Sequence, residues 1–136
     1  MAALSKDRPT PKRSGDTREP GVKAGVVIFA GALTALDASG YLVPFTTADD
    51  LVVVGASQGH YDNKSGTDGA IRARVDAGIH RFENSAGADE ITLTDIGADC
   101  FGVDDQTVAK TNGGDTRSVA GKIFDVDASG VWVKFS

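Results

Sequence analysis

Asp37-Ala-Ser-Gly-Tyr-Leu-Val-Pro-Phe45 returns near the C-terminus as Asp127-Ala-Ser-Gly-Val-Trp-Val-Lys-Phe135. Asp at the first position of a type I turn and Gly at the fourth, where a left-handed conformation costs nothing without a Cβ, predict a short hairpin at both places. The strand leaving each turn alternates. Tyr41, Val43 and Phe45 share one face, as do Val131, Val133 and Phe135. Leu42 and Trp132 take matching places on the opposite face. Two arrangements fit: an exposed outer face on which Trp132 serves as a protein-contact anchor, or a two-layer packing that buries both faces.

Outward from these hairpins, the chain reads as strand after short strand. Gly25–Phe29 and Ala32–Leu36 precede the first copy, and the apolar run Leu51–Val54 follows it, expected to be buried on both faces. Residues 60–69 carry two turn signals and read as a surface loop. The clearest alternation has Ile71, Ala73, Val75, Ala77 and Ile79 facing a core and Arg72, Arg74, Asp76 and His80 facing water. Phe82 is out of phase with that set, which predicts a bulge near Gly78 or an end by Arg81. Ile91 and Leu93 suggest a short strand, Thr94–Gly97 a helical turn capped by Thr94, and strands follow at Cys100–Val103, Thr107–Lys110 and Val119–Val126. Seventeen glycines and many short strands at hairpin spacing predict an all-β fold, a small barrel or sandwich of antiparallel strands. Pro44 cannot donate to a ladder, so the first copy's outer strand is expected at an edge, where a partner can add a strand.

At 136 residues the chain is one domain by size. Residues 1–21 differ from the rest. They hold Pro9, Pro11 and Pro20 and almost nothing apolar, so no core can form there and an extended arm is expected, with the body at 22–136. The arm carries five basic and three acidic side chains, the body nine and sixteen. An acidic body repels phosphate backbones, which makes nucleic acid a poor main partner. No apolar run is long enough for a bilayer span, and no secretory signal pattern lies near Met1, so neither a membrane partner nor secretion by that route is expected.

Catalytic and metal chemistry find little support. His60 and His80 are the only imidazoles, and neither has ligand spacing or a nucleophile nearby. Cys100 is the single cysteine and has Asp99 beside it, which raises a thiol pKa; it reads as a buried thiol in a reducing compartment. Asp125-Val-Asp127-Ala-Ser129-Gly130 resembles the start of a calcium loop, but its twelfth position is Ser136 instead of Glu and strands flank it, so a hairpin is the better reading. The acid pairs Asp49-Asp50, Asp89-Glu90 and Asp104-Asp105 sit in turn contexts. No enzyme activity, cofactor or metal is expected. For a protein partner, the candidate contacts are Pro9, Pro11, Lys12, Arg13 and Arg18 in the arm and Trp132 on the body.

Four stretches, Lys23–Pro44, Arg81–Asp89, Asp95–Gly97 with Val103–Lys110, and Gly121–Phe135, resemble the capsid decoration (cement, head-stabilising) proteins of Mu-like and lambda-like siphophages. The resemblance covers most of 22–136 and rests on turn-and-strand phrases. It implies a β-rich structural protein, made in the bacterial host cytoplasm. It also implies that the protein sits on the outer surface of the virion capsid, commonly as a homotrimer, and stabilises the head through contact with the major capsid protein. An arm adding as a strand to a capsid subunit's sheet would need little of its own sequence. The alternative is a β-sandwich module binding carbohydrate or a receptor, for which Tyr41, Tyr61 and Trp132 are the generous aromatic donors.

Overall fold

The computed structural model describes residues 2–13 and 15–135. Ser136, the position tested against a calcium loop, lies outside them. Strand accounts for 39% and helix for 5%, so the all-β expectation holds, in sandwich-like form instead of a closed barrel. Twelve strands are present among the described residues: β1 (Thr17–Arg18), β2 (Val27–Ile28), β3 (Leu33–Leu36), β4 (Leu42–Pro44), β5 (Val52–Ser57), β6 (Tyr61–Asp62), β7 (Val75–Asp76), β8 (Gly78–Phe82), β9 (Asp99–Gly102), β10 (Val108–Ala109), β11 (Val119–Asp127) and β12 (Gly130–Phe135). They form one sheet in the order β1-β7-β5-β3-β4, a second in the order β10-β9-β11-β12-β8, and a two-stranded ribbon of β2 and β6.

Two hydrophobic clusters hold the layers together. The larger takes Leu33, Ala35, Phe45 and Ala56 from the first sheet and its flank. The second sheet and its loops supply Phe82, Ile91, Cys100, Val108, Ala120, Ile123, Val131, Val133 and Phe135. The smaller joins Val22, Ile28, Ala32, Leu42, Val54, Ala73 and Val75. The first sheet therefore packs on both faces, and each fully buried Leu or Val adds roughly 1.5–3 kcal/mol relative to exposure. The layers approach closely where the Phe45 ring lies against Gly102, leaving no room for a Cβ.

Three of the four outer strands of the two large sheets, β4, β8 and β10, are tied at some point to other parts of the chain, which guards them against unwanted pairing. In the second, Glu83 bridges Thr107, linking the end of β8 to the start of β10. In the first, β4 is an edge as Pro44 predicts. Its Leu42, however, accepts a hydrogen bond from Lys23 N–H and donates one to the Gly21 carbonyl, so the expected docking edge is largely occupied from within.

Four local expectations are overturned. The 71–80 alternation is two strands in two sheets: β7 ends at Asp76 and β8 begins at Gly78, whose φ of 102° turns the chain across. The facing set shifts there, leaving Ile79 39% exposed and Phe82 buried. Val52, expected inside, is 63% exposed because β5 enters its sheet at the rim. The stretch around Ile91 and Leu93 is not a strand; Leu93–Asp95 is a 3-10 turn that begins after Thr92, whose N–H donates to Asp95 Oδ2 at 2.8 Å, so Thr94 is not the cap. The loop at 60–69 contains β6, which pairs with β2.

Candidate partner-binding surface

The root of the arm is built into the body. Thr17 and Arg18 pair with Asp76 and Val75, and Thr17 Oγ1 donates to Asp76 Oδ1 at 3.1 Å. Ala77 N–H reaches the Asp16 carbonyl, Ala73 N–H the Pro20 carbonyl, and Val22 N–H the Ile71 carbonyl. Val22 is wholly buried. The buried Asn63 then clamps the segment, its Nδ2 donating to the carbonyls of Val22 and Lys23 at 3.1 Å each and to that of Thr67 at 3.0 Å. Lys23 Nζ lies 3.0 Å from Asp37 Oδ2. That contact and the Tyr41 N–H hold the Asp37 carboxyl below the usual range, and the Lys23 ammonium is raised in return. The last residues of the sequence-defined arm thus serve as strand and strap of the first sheet.

The outer arm behaves differently: residues 2–13 are all exposed, Leu4 among them at 74%. Its internal bonds are local, Thr10 N–H to the Arg8 carbonyl and Arg8 Nη1 to Thr10 Oγ1, both 2.8 Å and both spanning Pro9.

Of the predicted contact residues, Arg13 and Arg18 come together. With Arg72 they line an open cavity of about 680 Å³ whose walls include Pro20, Leu36 and Val54. Arg72 Nη1 donates to the Glu19 carbonyl at 2.8 Å, which fixes one wall. Pro9, Pro11 and Lys12 stay on the exposed arm. Trp132 lies on the other sheet, half-buried, with Nε1 donating to Asp127 Oδ2 at 3.0 Å and the Arg81 guanidinium 5.6 Å from its ring centre. The indole N–H and one neighbouring cation are already engaged, and the Asp127 carboxyl is held low chiefly by that N–H.

The sequence reading missed Arg72, which alternation marked only as a wet strand position, and two exposed valines, Val52 and Val119. It also missed Phe124, 53% exposed because the β11–β12 register slips between Ile123 and Asp125. The chemistry-bearing groups are dispersed. His80 is bonded to the Ala77 carbonyl, while His60 stacks edge-on with Phe29 at 5.4 Å. Cys100 is buried, its thiol pushed up to about 12 mainly by burial. Asp127 turns into its own hairpin and accepts the Ser129 N–H at 2.8 Å. Comparison with protein families, curated proteins and solved structures finds nothing that matches this chain.

Proposed function

We propose that this chain is a structural subunit of the outer surface of a tailed-phage head, held to the major capsid protein by its N-terminal arm and acting as a trimer to stabilise the shell. The observation that carries this reading is the contrast within the arm: a root anchored by paired strands and buried Val22, and an outer stretch, residues 2–13, exposed throughout. A rigid base with an exposed polar leash suits attachment to a larger surface, where the arm gains main-chain bonds on docking. Three such arms on one trimer raise the effective concentration of each. The sequence resemblance to decoration proteins supplies the kind of surface.

The test is removal of residues 2–13, leaving the root intact. The truncated protein keeps its far-UV spectrum and melting temperature and fails to co-sediment with phage heads stripped of their decoration subunits. Undiminished co-sedimentation overturns the proposal. A cut at residue 20 is the wrong experiment, because it also strips β1 from β7.

The saccharide-binding alternative has one observation in its favour. Phe29, 59% exposed, borders a hollow of about 380 Å³ with Asp105 and Gln106, an aromatic face beside planar polar groups. Tyr41, Tyr61 and Trp132, the aromatics expected to form a platform, are each half-buried, Tyr41 just before β4, Tyr61 on β6 and Trp132 on β12. Glycan-array binding lost in Phe29→Ala favours this second reading.

A further inference from the structure

Between the two five-stranded sheets runs a groove of about 310 Å³ on the flank where β5 faces β11 and the end of β12. Its floor is apolar, with Val52 and Val119 left 63% and 41% exposed. Three cations line it, Arg18, Lys122 and Lys134, against one acid, Asp99. Lys122 Nζ is paired with Asp99 Oδ1 at 2.6 Å. Arg18 and Lys134 have no carboxylate partner among the described residues. This cationic rim lies on a chain of net charge −5, and it continues through Arg18 into the cavity that holds Arg13 and Arg72.

We propose that this groove binds an extended acidic segment of a partner polypeptide, carboxylates toward Arg18 and Lys134 and aliphatic side chains against Val52 and Val119. Charge complementarity selects the occupant, since an uncovered apolar floor inside a basic rim rewards a ligand that is acidic and apolar in alternation. An extended strand has that two-faced form, its side chains alternating between floor and rim. Nucleic acid fits less well. The floor offers aliphatic side chains in place of exposed aromatic faces for stacking, and Asp49 lines the adjoining hollow beside Val52. The groove is built from the body and the anchored root of the arm, so it stands whichever surface the outer arm, residues 2–13, engages.

The probe is a fluorescein-labelled alternating Glu-Val peptide of about ten residues, roughly 33 Å when extended, titrated with the full-length protein at low salt and read by anisotropy. It binds at least about tenfold tighter than alternating Glu-Ser and Lys-Val peptides of the same length. Arg18→Glu and Lys134→Glu each weaken it by about tenfold or more, and Val52→Asn weakens Glu-Val without changing Glu-Ser. Lys134→Glu is the safer variant, because Arg18 sits in a two-residue edge strand; circular dichroism checks the fold of each. Absence of Glu-Val binding overturns the proposal, as does equal binding of Glu-Ser, which reduces the groove to diffuse charge. Tighter binding of a single-stranded DNA oligomer overturns it in favour of nucleic acid. Self-association abolished by Lys134→Glu overturns it in favour of a second copy. Loss of capsid co-sedimentation on arm removal is a separate result, so the failure of either reading leaves the other testable.

Discussion

The two Asp-Ala-Ser-Gly hairpins share their turn sequence and differ in nearly everything their surroundings decide. In the first, Asp37 N–H bonds to the Tyr41 carbonyl, and Gly40 N–H to the Asp37 carbonyl, with Gly40 at φ 84°, the left-handed turn expected from sequence. In the second, Gly130 is itself paired with Asp127 at φ 149°, and the loop shrinks to Ala128-Ser129. A Cβ at Gly40 meets open space, whereas one at Gly130 runs into the Phe82 carbonyl of β8. The outer faces diverge as well: Leu42 is wholly buried in the smaller cluster, while Trp132 is half-buried and Lys134 exposed. Local sequence selects a hairpin, and the neighbouring layer decides what each residue of it is for. The first copy is covered by the β2–β6 ribbon and the segment around Val22, whereas the outer face of the second leaves Trp132 half-buried and Lys134 exposed.

Exchanging the outer-face residues tests this most severely. Leu42→Trp forces a large ring into a fully packed site and is expected to cost about 3 kcal/mol or more, enough to lower the melting temperature sharply or prevent folding. Trp132→Leu, the reverse exchange, is expected to cost about 1 kcal/mol and to leave the spectrum intact. Thermal melts of the two variants side by side decide it, and comparable losses would mean that the second copy is as deeply covered as the first.

The glycines give the next contrast. Gly130→Ala is expected to destabilise by about 2–3 kcal/mol, because the strands on either side of the new methyl must separate. Gly40→Ala is expected to cost about 1 kcal/mol, the left-handed penalty alone. Both glycines have a φ that disfavours a side chain, and only Gly130 also faces β8. Urea titrations measure both, and a larger loss at Gly40 would show that the approach of β8 adds nothing.

These differences mark how far the sequence could be read. Periods, turn residues and the repeat depend on neighbours along the chain, so the all-β class, the antiparallel hairpins and the edge position of β4 were legible. What depends on a third strand was not. Residues 71–82 alternate as though continuous, yet the chain changes sheets at Gly78, and nothing local distinguishes a bulge from a crossover there. Val52 belongs to an apolar run and is exposed because its strand begins at the rim. The arm's composition announced an extended segment, but its anchoring depends on Asn63 and Val75, distant in sequence. Arg13 and Arg18 were legible as candidates one at a time. Their meeting with Arg72 is a product of the fold.

The finest comparison lies between the two turn aspartates. Both carboxyls are held below the ordinary value, so each stabilises the fold above the unfolded pKa of about 4 and loses that effect as pH falls through its lower folded value. Asp37→Asn and Asp127→Asn should each flatten the decline of melting temperature between about pH 4 and pH 2. The causes differ, and salt separates them. Asp37 owes its shift first to its hydrogen bond with the charged Lys23 ammonium, a solvent-facing contact that salt weakens, whereas Asp127 owes its shift first to the hydrogen bond from the neutral indole N–H of Trp132. At pH 7 the gap in melting temperature between the native chain and Asp37→Asn should narrow as salt rises toward about 1 M, where the Debye length is near 3 Å. The gap for Asp127→Asn should persist. Raising pH through the elevated Lys23 value should close the Asp37 gap from the other side, because the ammonium that stabilises the pair is then lost. If both gaps respond alike to salt, the Lys23 contact contributes little in solution, and the first hairpin is held, like the second, by its turn and its packing.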